Sequence, residues 1–199
     1  GGKPLLQWHL ERLAAAGCRE VVVNLSHLGE QIAEFLGDGS RFGLHVAFSR
    51  EAEPLETAGG IAQALPQLGA APFLLVNADI YCELDFSRLT GIRLKERFAH
   101  LVLVPNPPHR PQGDFSLRGA AVGNDEAPRY TYAGIAVVSP ALVAGVAQGA
   151  KAPLAPLLRA AAAEGRLSGE LFAGRWQDVG TPERLAALEN MLGSNHEHR

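Results

Sequence analysis

The chain has 199 residues, of which 47% are hydrophobic and 20% charged, with a formal net charge of -3. This length and composition are typical of one globular domain with a sizeable core, and the charge excludes the basic surface that nucleic-acid-binding proteins present. No apolar run is long enough to span a membrane and the first residues do not resemble a secretory leader, so we expect a cytoplasmic protein without membrane or nucleic-acid partners. Cys18 and Cys82 match neither a disulfide framework nor a metal-site spacing.

The amino-terminal segment predicts a helix that follows no strand. Pro4 stands at the first turn of an apolar stripe over 5–14, Gly17 ends it, and residues 20–25 are typical of a buried strand. A helix of a doubly wound sheet normally follows a strand, because each crossover joins two parallel strands. We therefore expect a first strand and its following loop to be missing from the printed sequence, through truncation or disorder.

The next segments alternate between helix and strand. The pattern predicts a helix over 28–36, a strand over 44–48 and a helix from Thr57 to residue 65, with Thr57 as its cap. Small residues at that helix start let a backbone approach a ligand closely, and free amides there favour anions or ring carbonyls. A helix cap without a ligand explains the segment equally well.

Residues 73–76 are four consecutive apolar residues after Pro72, which predicts a short strand buried on both faces, as in a parallel sheet. Asp79 comes just past its carboxyl end. Ligands of open α/β sheets bind outside the carboxyl ends of the strands, so we expect this carboxylate to point at the ligand.

The middle of the chain predicts a loop and helix over 84–97, a buried strand over 99–104, a stiff proline-rich loop over 105–115, a hairpin over 115–122 and a strand over 129–138. Gly134 interrupts this last strand, which indicates either a bulge or the close approach of a ligand, with weak sheet packing as the alternative.

The last part predicts a short helix at Ser139, a helix over 153–163, a strand pair formed by 168–172 and 175–179, and a final helix capped by Thr181. Strands alternating with helices favour a three-layer α/β/α sandwich with a mostly parallel sheet. We expect a single domain over 1–192 and a frayed tail over 193–199.

Asp178, in the predicted strand 175–179, is a second candidate ligand. We hypothesise that Asp79 and Asp178 meet across the fold and hold one magnesium ion to which nucleotide phosphates bind. Each aspartate alone is explained as well by an ordinary role, Asp79 as a cap and Asp178 as a surface acid.

Six short motifs in order along the chain resemble those of the sugar-nucleotide pyrophosphorylases, nucleotidyltransferases with a Rossmann-like fold that include glucose-1-phosphate thymidylyltransferases and mannose-1-phosphate guanylyltransferases. Each motif is short, but together they span nearly the whole chain. They are Gly2-Lys3-Pro4-Leu5, 36–44, Glu56-Thr57-Ala58-Gly59-Gly60, Asn77-Ala78-Asp79, Tyr132-Ala133-Gly134-Ile135 and 176–182. Residues 105–115 and 168–171 are most similar to the uridylyltransferases that act on N-acetylmuramate 1-phosphate in cell-wall sugar recycling.

The resemblance implies transfer of a nucleotidyl group from UTP to a sugar 1-phosphate with release of pyrophosphate, giving UDP-N-acetylmuramate. It implies Asp79 and Asp178 as catalytic magnesium ligands. It implies that the nucleotide contacts Glu56, Thr57, Ala58, Gly59, Gly60 and Asn77, and that the sugar contacts Asn106, Gly134 and Glu170. The family's glycine-rich phosphate loop, with its arginine and lysine, would precede Gly2.

Other functions remain open on the sequence. Glucose or mannose 1-phosphate are alternative substrates, and a catalytically inactive nucleotide-sugar-binding regulatory domain is an alternative role. A metal-dependent glycosyltransferase is less compatible, because Asp79-Ile80-Tyr81 lacks a second acid. A dinucleotide-linked dehydrogenase is disfavoured, because no Gly-x-Gly-x-x-Gly follows a strand.

Overall fold

The computed structural model describes residues 2–125 and 128–194. The final helix extends to Ser194, so residues 193 and 194 belong to a helix rather than to the expected frayed tail. Residues 195–199 of that expected tail lie outside the described residues.

The helices are α1 (Leu5–Ala15), α2 (Gly29–Leu36), α3 (Glu56–Leu68), α4 (Ser87–Thr90), α5 (Leu154–Ala163) and α6 (Pro182–Ser194). The strands are β1 (Glu20–Leu25), β2 (His45–Arg50), β3 (Phe73–Val76), β4 (Ile80–Cys82), β5 (Ala99–Val104), β6 (Phe115–Arg118), β7 (Ala121–Gly123), β8 (Arg129–Val138), β9 (Leu167–Leu171) and β10 (Trp176–Asp178). Across residues 2–125 and 128–194, every helix is too short or too polar to cross a bilayer.

A six-stranded sheet in the order β3-β8-β5-β9-β7-β6 forms the centre of the molecule. The expected parallel pairing is found between β1 and β2 and between β5 and β9. In contrast, β8 runs antiparallel to both β3 and β5, and the hairpin strands β6 and β7 are antiparallel to each other. The central sheet is therefore mixed, with β5 and β9 as its parallel pair, while β1 and β2 form a separate two-stranded parallel sheet.

Alternate residues of the central strands face two different cores, as the period of a strand requires. On one face Leu101 and Leu103 pack with α3 and α5. On the other face Val102 and Val104 pack with α4 and with Leu13 of α1. Helices on both faces of the sheet give the expected three layers.

β1 and β2 pair with each other and, within residues 2–125 and 128–194, with no strand of the central sheet. A cavity of about 880 Å³ is lined by β1 on one side and by β3 on another, with α1 and α3 completing its walls. Because β3 borders this cavity, all four of its residues are half-buried, and the expectation that it is buried on both faces is wrong.

Two further expectations about local structure are wrong. The segments that contain β9 and β10 do not form a strand pair, since β9 lies beside β5 and β7 while β10 pairs with β4. Thr57 does not cap α3, because the helix begins one residue earlier at Glu56 and its cap position, Leu55, makes no side-chain capping bond. Thr181 does cap α6 as expected, its Oγ1 accepting a hydrogen bond from the Arg184 amide at 3.3 Å.

Candidate active site

The structure brings Asp79 and Asp178 to the same place. β4 and β10 pair antiparallel with Ile80 opposite Asp178, and the Val179 amide donates to the Asp79 carbonyl at 2.8 Å. A Cβ atom built on Gly180 would lie 3.1 Å from Asp178 Oδ1 and 3.6 Å from Asp79 Oδ2. The two carboxylates therefore converge beside Gly180, although their role as metal ligands stays a prediction.

Asp178 is held in a network of donors. Its Oδ1 accepts from the Gly180 amide at 2.9 Å, and its Oδ2 lies 2.9 Å from Arg184 Nη1 and 3.5 Å from His109 Nε2. Burial on its own raises the pKa of the Asp178 carboxyl, but the bonds from Gly180 and Arg184 and the nearby charges of Arg184 and His109 lower this pKa overall. Asp178 is thus stabilised in its ionised form.

Asp79 differs from Asp178 in its surroundings. Its side chain is exposed, and none of the hydrogen bonds or ion pairs among the described residues involves its carboxylate. An unpaired acid beside a fixed acid fits a hard divalent cation, which prefers oxygen ligands. No group of three or more His, Cys, Asp or Glu side chains in the described chain is arranged to hold a metal. A magnesium ion at Asp79 and Asp178 would therefore take its remaining ligands from phosphate and water.

A pocket of about 460 Å³ opens beside Asp178. One wall is the proline-rich loop after β5, and the other is β10 with the start of α6. Its lining residues are Val104, Pro105, Pro107, Pro108, His109, Gly174, Trp176, Gln177, Asp178 and Arg184. The charged groups of this pocket are gathered at one end around Asp178, while the prolines and Trp176 supply apolar surface.

The larger cavity, between β1 and β3, contains several of the expected nucleotide contacts. Glu56, Thr57 and Asn77 line it. Glu56 has a positive φ of 59° and its Oε1 lies 3.7 Å from Lys151 Nζ. These three residues share one cavity, and their contact with a nucleotide stays a prediction.

The start of α3 is less open to a ligand than the sequence suggests. The amides of Ala58 and Gly59 both donate to the Ala152 carbonyl, at 3.0 and 3.1 Å, so the expectation of free amides there is wrong. A Cβ on Gly59 would lie 2.3 Å from the Ala150 carbonyl, and one on Gly60 would lie 2.3 Å from Asn24 Nδ2. The small size of Gly59 and Gly60 therefore allows other residues of this chain, Ala150 and Asn24, to pack closely against them. Both glycines are buried as a result.

Gly134 forms the expected bulge. The register between β5 and β8 shifts at this point, and Gly134 has a φ of 76°. Asn77 is the group that approaches it closely, because a Cβ on Gly134 would lie 3.0 Å from three atoms of the Asn77 side chain. Gly134 thus positions Asn77 at the end of β3, and a direct contact of Gly134 with a sugar stays a prediction.

The other two expected sugar contacts have partners within the chain. Asn106 donates from Nδ2 to the carbonyls of Pro111 and Arg129, both at 3.1 Å, and its Oδ1 accepts from Thr131 Oγ1 at 3.0 Å. Both amide hydrogens are used, so Asn106 holds the proline-rich loop and has no donor left for a sugar. Glu170 lies 3.4 Å from Arg88 and lines neither of the two cavities described above.

Arg184 and His109 belong to the site but were not predicted from the sequence as members of it. Arg184 did carry a signal, because a cation in the first turn of a helix opposes the helix dipole and indicates a nearby acid. His109 carried none, since its approach to Asp178 depends on how the proline-rich loop folds back over β10.

Comparison with known proteins identifies the family. Residues 1–115, more than half of the chain, match the family model described as nucleotidyl transferase. The chain belongs to the nucleotidyl transferase family. It is 46% identical over 200 residues to the N-acetylmuramate alpha-1-phosphate uridylyltransferase of Neisseria meningitidis, covering 97% of this chain and 87% of that protein. It is also 40% identical over 90 residues to a mannose-1-phosphate guanylyltransferase catalytic subunit beta of Drosophila melanogaster, covering 44% of this chain and 24% of that protein.

Solved structures of this nucleotidyltransferase's neighbours confirm the expected Rossmann-like fold. A glucose-1-phosphate thymidylyltransferase structure from Bacillus anthracis superposes with a TM-score of 0.83 at 14% identity, covering 96% of this chain and 83% of that one. HddC from Yersinia pseudotuberculosis superposes with a TM-score of 0.74 at 21% identity, covering 96% and 86%.

Proposed function

We propose that this nucleotidyltransferase joins N-acetylmuramate 1-phosphate to UTP, releasing pyrophosphate and forming UDP-N-acetylmuramate. The observation that carries the proposal is the 46% identity, over 97% of the chain, to the Neisseria protein that bears the name of this activity. UTP is a cytoplasmic nucleotide and the product is an activated cell-wall sugar. Both points support a cytoplasmic role in the reuse of peptidoglycan sugars.

The reaction exchanges one phosphoric anhydride bond for another. An ionised oxygen of the sugar 1-phosphate attacks the α-phosphorus of UTP, the bond from that phosphorus to the bridging oxygen breaks, and pyrophosphate leaves with the electron pair. Because the attacking oxygen is already ionised, no side chain has to remove a proton from it. What the protein must supply is alignment of two polyanions and compensation of their charge.

Asp79 and Asp178 are the residues that would hold magnesium. When bound, magnesium neutralises part of the negative charge of the reacting phosphates. Asp178 is fixed by the Gly180 amide and by Arg184, while Asp79 is exposed beside it. One carboxylate held in place and one exposed carboxylate suit a metal site whose remaining ligands are supplied when a substrate phosphate binds.

We assign the nucleotide to the cavity between β1 and β3, where Glu56, Thr57 and Asn77 lie on the lining. The buried Ala58, Gly59 and Gly60 would shape this wall rather than donate to the base. On the sugar side, Gly134 would act by positioning Asn77. Glu170 is not assigned to the sugar, because it lines neither cavity and its Oε1 atom is buried 3.4 Å from Arg88 Nη2.

The test is an assay of pyrophosphate release with each nucleoside triphosphate against N-acetylmuramate, N-acetylglucosamine, glucose and mannose 1-phosphates. We expect UTP with N-acetylmuramate 1-phosphate to react fastest, in a magnesium-dependent manner. Asp79→Asn and Asp178→Asn should each lower kcat by about 100-fold or more, since electrostatic stabilisation is lost where charge develops.

The matched control is Asp125→Asn, which removes an exposed acid paired with Arg118. Its kcat should equal that of the wild type. Full activity in Asp79→Asn or Asp178→Asn contradicts the metal assignment. Tight binding of UDP-N-acetylmuramate without any turnover contradicts catalysis and favours a regulatory nucleotide-sugar-binding domain.

A further inference from the structure

The side chains of Arg184 and His109 converge on one oxygen of Asp178. Arg184 Nη1 lies 2.9 Å and His109 Nε2 lies 3.5 Å from Oδ2, and both side chains are about one-third exposed, at 35% and 36%. One carboxylate does not use the full donor capacity of a guanidinium, which has five N–H groups in a planar fork. Arg184 therefore has donors to offer an anion while it remains paired with Asp178.

These two side chains stand at the charged end of the 460 Å³ pocket, where Arg184 pairs with Asp178. Most of the remaining wall is apolar, formed by Val104, Pro105, Pro107, Pro108 and Trp176. A concave apolar wall with a few convergent polar groups at one end is the usual form of a small-molecule site. Its chemistry fits a ligand with an anionic end and a less polar body.

Both walls of the pocket are fixed by hydrogen bonds. Trp176 Nε1 donates to the Ala133 carbonyl at 2.9 Å, which anchors β10 to the bulge of β8. Gln177 Nε2 donates to the Arg184 carbonyl at 3.1 Å, which anchors the first turn of α6. Asn106 ties the opposite loop to Pro111 and Arg129. The charged end is therefore preorganised, which reduces the entropic cost of binding.

We propose that this pocket binds the sugar 1-phosphate, with Arg184 and His109 as its phosphate contacts and with the proline and tryptophan wall against the sugar. The proposal rests on the proposed function, since it assigns the second substrate of that reaction to a place beside Asp178. Arg184 bridges Asp178 and the phosphate, so the phosphate oxygen is held next to the carboxylates that would carry the metal.

The alternative is that Arg184 only joins α6 to β10. A purely structural ion pair affects the stability of the fold and affects the binding of every substrate alike. A phosphate contact affects the ligand that carries that phosphate. The two roles therefore differ in selectivity, which a binding measurement detects without any turnover.

The experiment is calorimetric titration of the protein with N-acetylmuramate 1-phosphate, with unphosphorylated N-acetylmuramate and with UTP, each in EDTA and in magnesium. Arg184→Gln should weaken binding of the sugar 1-phosphate by about 10- to 100-fold, the range expected for a lost hydrogen bond to a charged group. Arg184→Lys should weaken binding of the sugar 1-phosphate less than Arg184→Gln does, because lysine keeps the positive charge although it lacks the planar guanidinium group. In all these variants UTP affinity should stay within about twofold of the wild type.

His109→Gln provides an independent variant, since it changes an exposed side chain of the proline-rich loop and leaves every residue of α6 unchanged. This variant should weaken binding of the sugar 1-phosphate by a few-fold and leave the affinity for UTP unchanged. Arg118→Gln, which removes an exposed arginine paired with Asp125, is the matched control and should leave all affinities unchanged. Thermal unfolding of each variant checks that the fold is retained.

The proposal is overturned if the wild type does not bind the sugar 1-phosphate. It is also overturned if Arg184→Gln and His109→Gln leave the affinity for the sugar 1-phosphate unchanged, or if they lower the affinity for UTP by the same factor. This outcome is distinguishable from failure of the proposed function. Selective loss of sugar 1-phosphate binding in a protein that releases no pyrophosphate supports the pocket and removes the activity. Normal turnover with an unchanged KM for the sugar in Arg184→Gln supports the activity and removes the pocket.

Discussion

Gly134 shows how one residue shapes the candidate site. It lies in the left-handed region, with φ at 76°, and its missing side chain leaves room for Asn77. The Asn77 amide also donates to the Gly134 carbonyl at 2.8 Å. Asn77 borders the large cavity two residues before Asp79, so the conformation of Gly134 fixes the end of β3 from which the aspartate projects.

Replacing Gly134 with alanine should destabilise the protein by about 1–3 kcal/mol. A Cβ there would meet three Asn77 atoms at 3.0 Å, in a backbone region that costs a residue with a side chain about that much. Urea unfolding of Gly134→Ala measures the loss. Gly145→Ala is the control, since nothing lies within 4 Å of its Cβ, and it should unfold like the wild type. Equal stability of both variants contradicts this explanation of the bulge.

Residue identities predicted the convergence of Asp79 and Asp178, because an acid just past a buried strand lies at the edge where sheet ligands bind. They did not predict why Gly59 and Gly60 are small. A small residue at a helix start makes room for a ligand or for the chain itself, and only the tertiary contacts with Ala150 and Asn24 decide between the two. The same applies to Asn106, whose partners come from distant segments.

Helix α1 and strand β4 meet through a buried histidine. His9 is 4% exposed, and its Nε2 has no hydrogen-bond partner among the described residues. Burial lowers the pKa of His9 to about 4, although a hydrogen bond with the Ile80 backbone opposes this shift. Ile80 is the first residue of β4 and stands opposite Asp178 of β10, so this contact supports the element that carries the candidate site.

The buried histidine makes stability sensitive to acid. The pKa of His9 in the folded protein is below its ordinary value of 6.5, so the unfolded chain takes up the proton first. Stability therefore falls as the pH drops from about 6.5 towards 4. Between pH 7 and pH 4.5 the His9 contribution should be about 2 kcal/mol. The free energy of unfolding in urea should therefore depend less on pH in His9→Leu than in the wild type.

The exposed His27 supplies the control for this experiment. His27→Leu should keep the pH dependence of the wild type. If His9→Leu keeps it as well, proton uptake by His9 on unfolding is not the cause. His100, whose pKa burial also lowers, is unchanged in both variants and cancels from the comparison.

The positions of the strands along the chain were easier to predict from the sequence than the way in which the strands pair. Apolar runs placed β1, β3, β5 and β8 correctly because each run is local in sequence. The pairing of β10 with β4, rather than with its neighbour β9, depends on the chain crossing the end of the sheet. No local pattern encodes that crossing, and it is the step that carries Asp178 to Asp79.

At the scale of the whole molecule, the strands form separately supported groups. The central strands β5 and β8 are covered on both faces by the two large cores. β1 and β2 pair only with each other in the described chain, and the smaller core beneath them centres on Leu10, Leu36, Leu44 and Val46. The cavity of about 880 Å³ lies between β1 and β3, and no backbone ladder joins the two groups within residues 2–125 and 128–194.

This arrangement predicts unequal protection of backbone amides in the printed chain. Regions with fewer buried apolar contacts open at a lower free energy than the global unfolding, so amides of β1 and β2 should exchange with deuterium faster than those of β5 and β8. Hydrogen exchange followed by mass spectrometry of peptides covering 20–50 and 99–138 measures the difference. The loop within 105–114 serves as a rapidly exchanging reference inside the second range. If the amides of β1 and β5 exchange at the same rate in one cooperative step, the β1–β2 pair does not open independently of the central sheet. The prediction is then wrong, because the large cavity does not weaken the attachment of the β1–β2 pair.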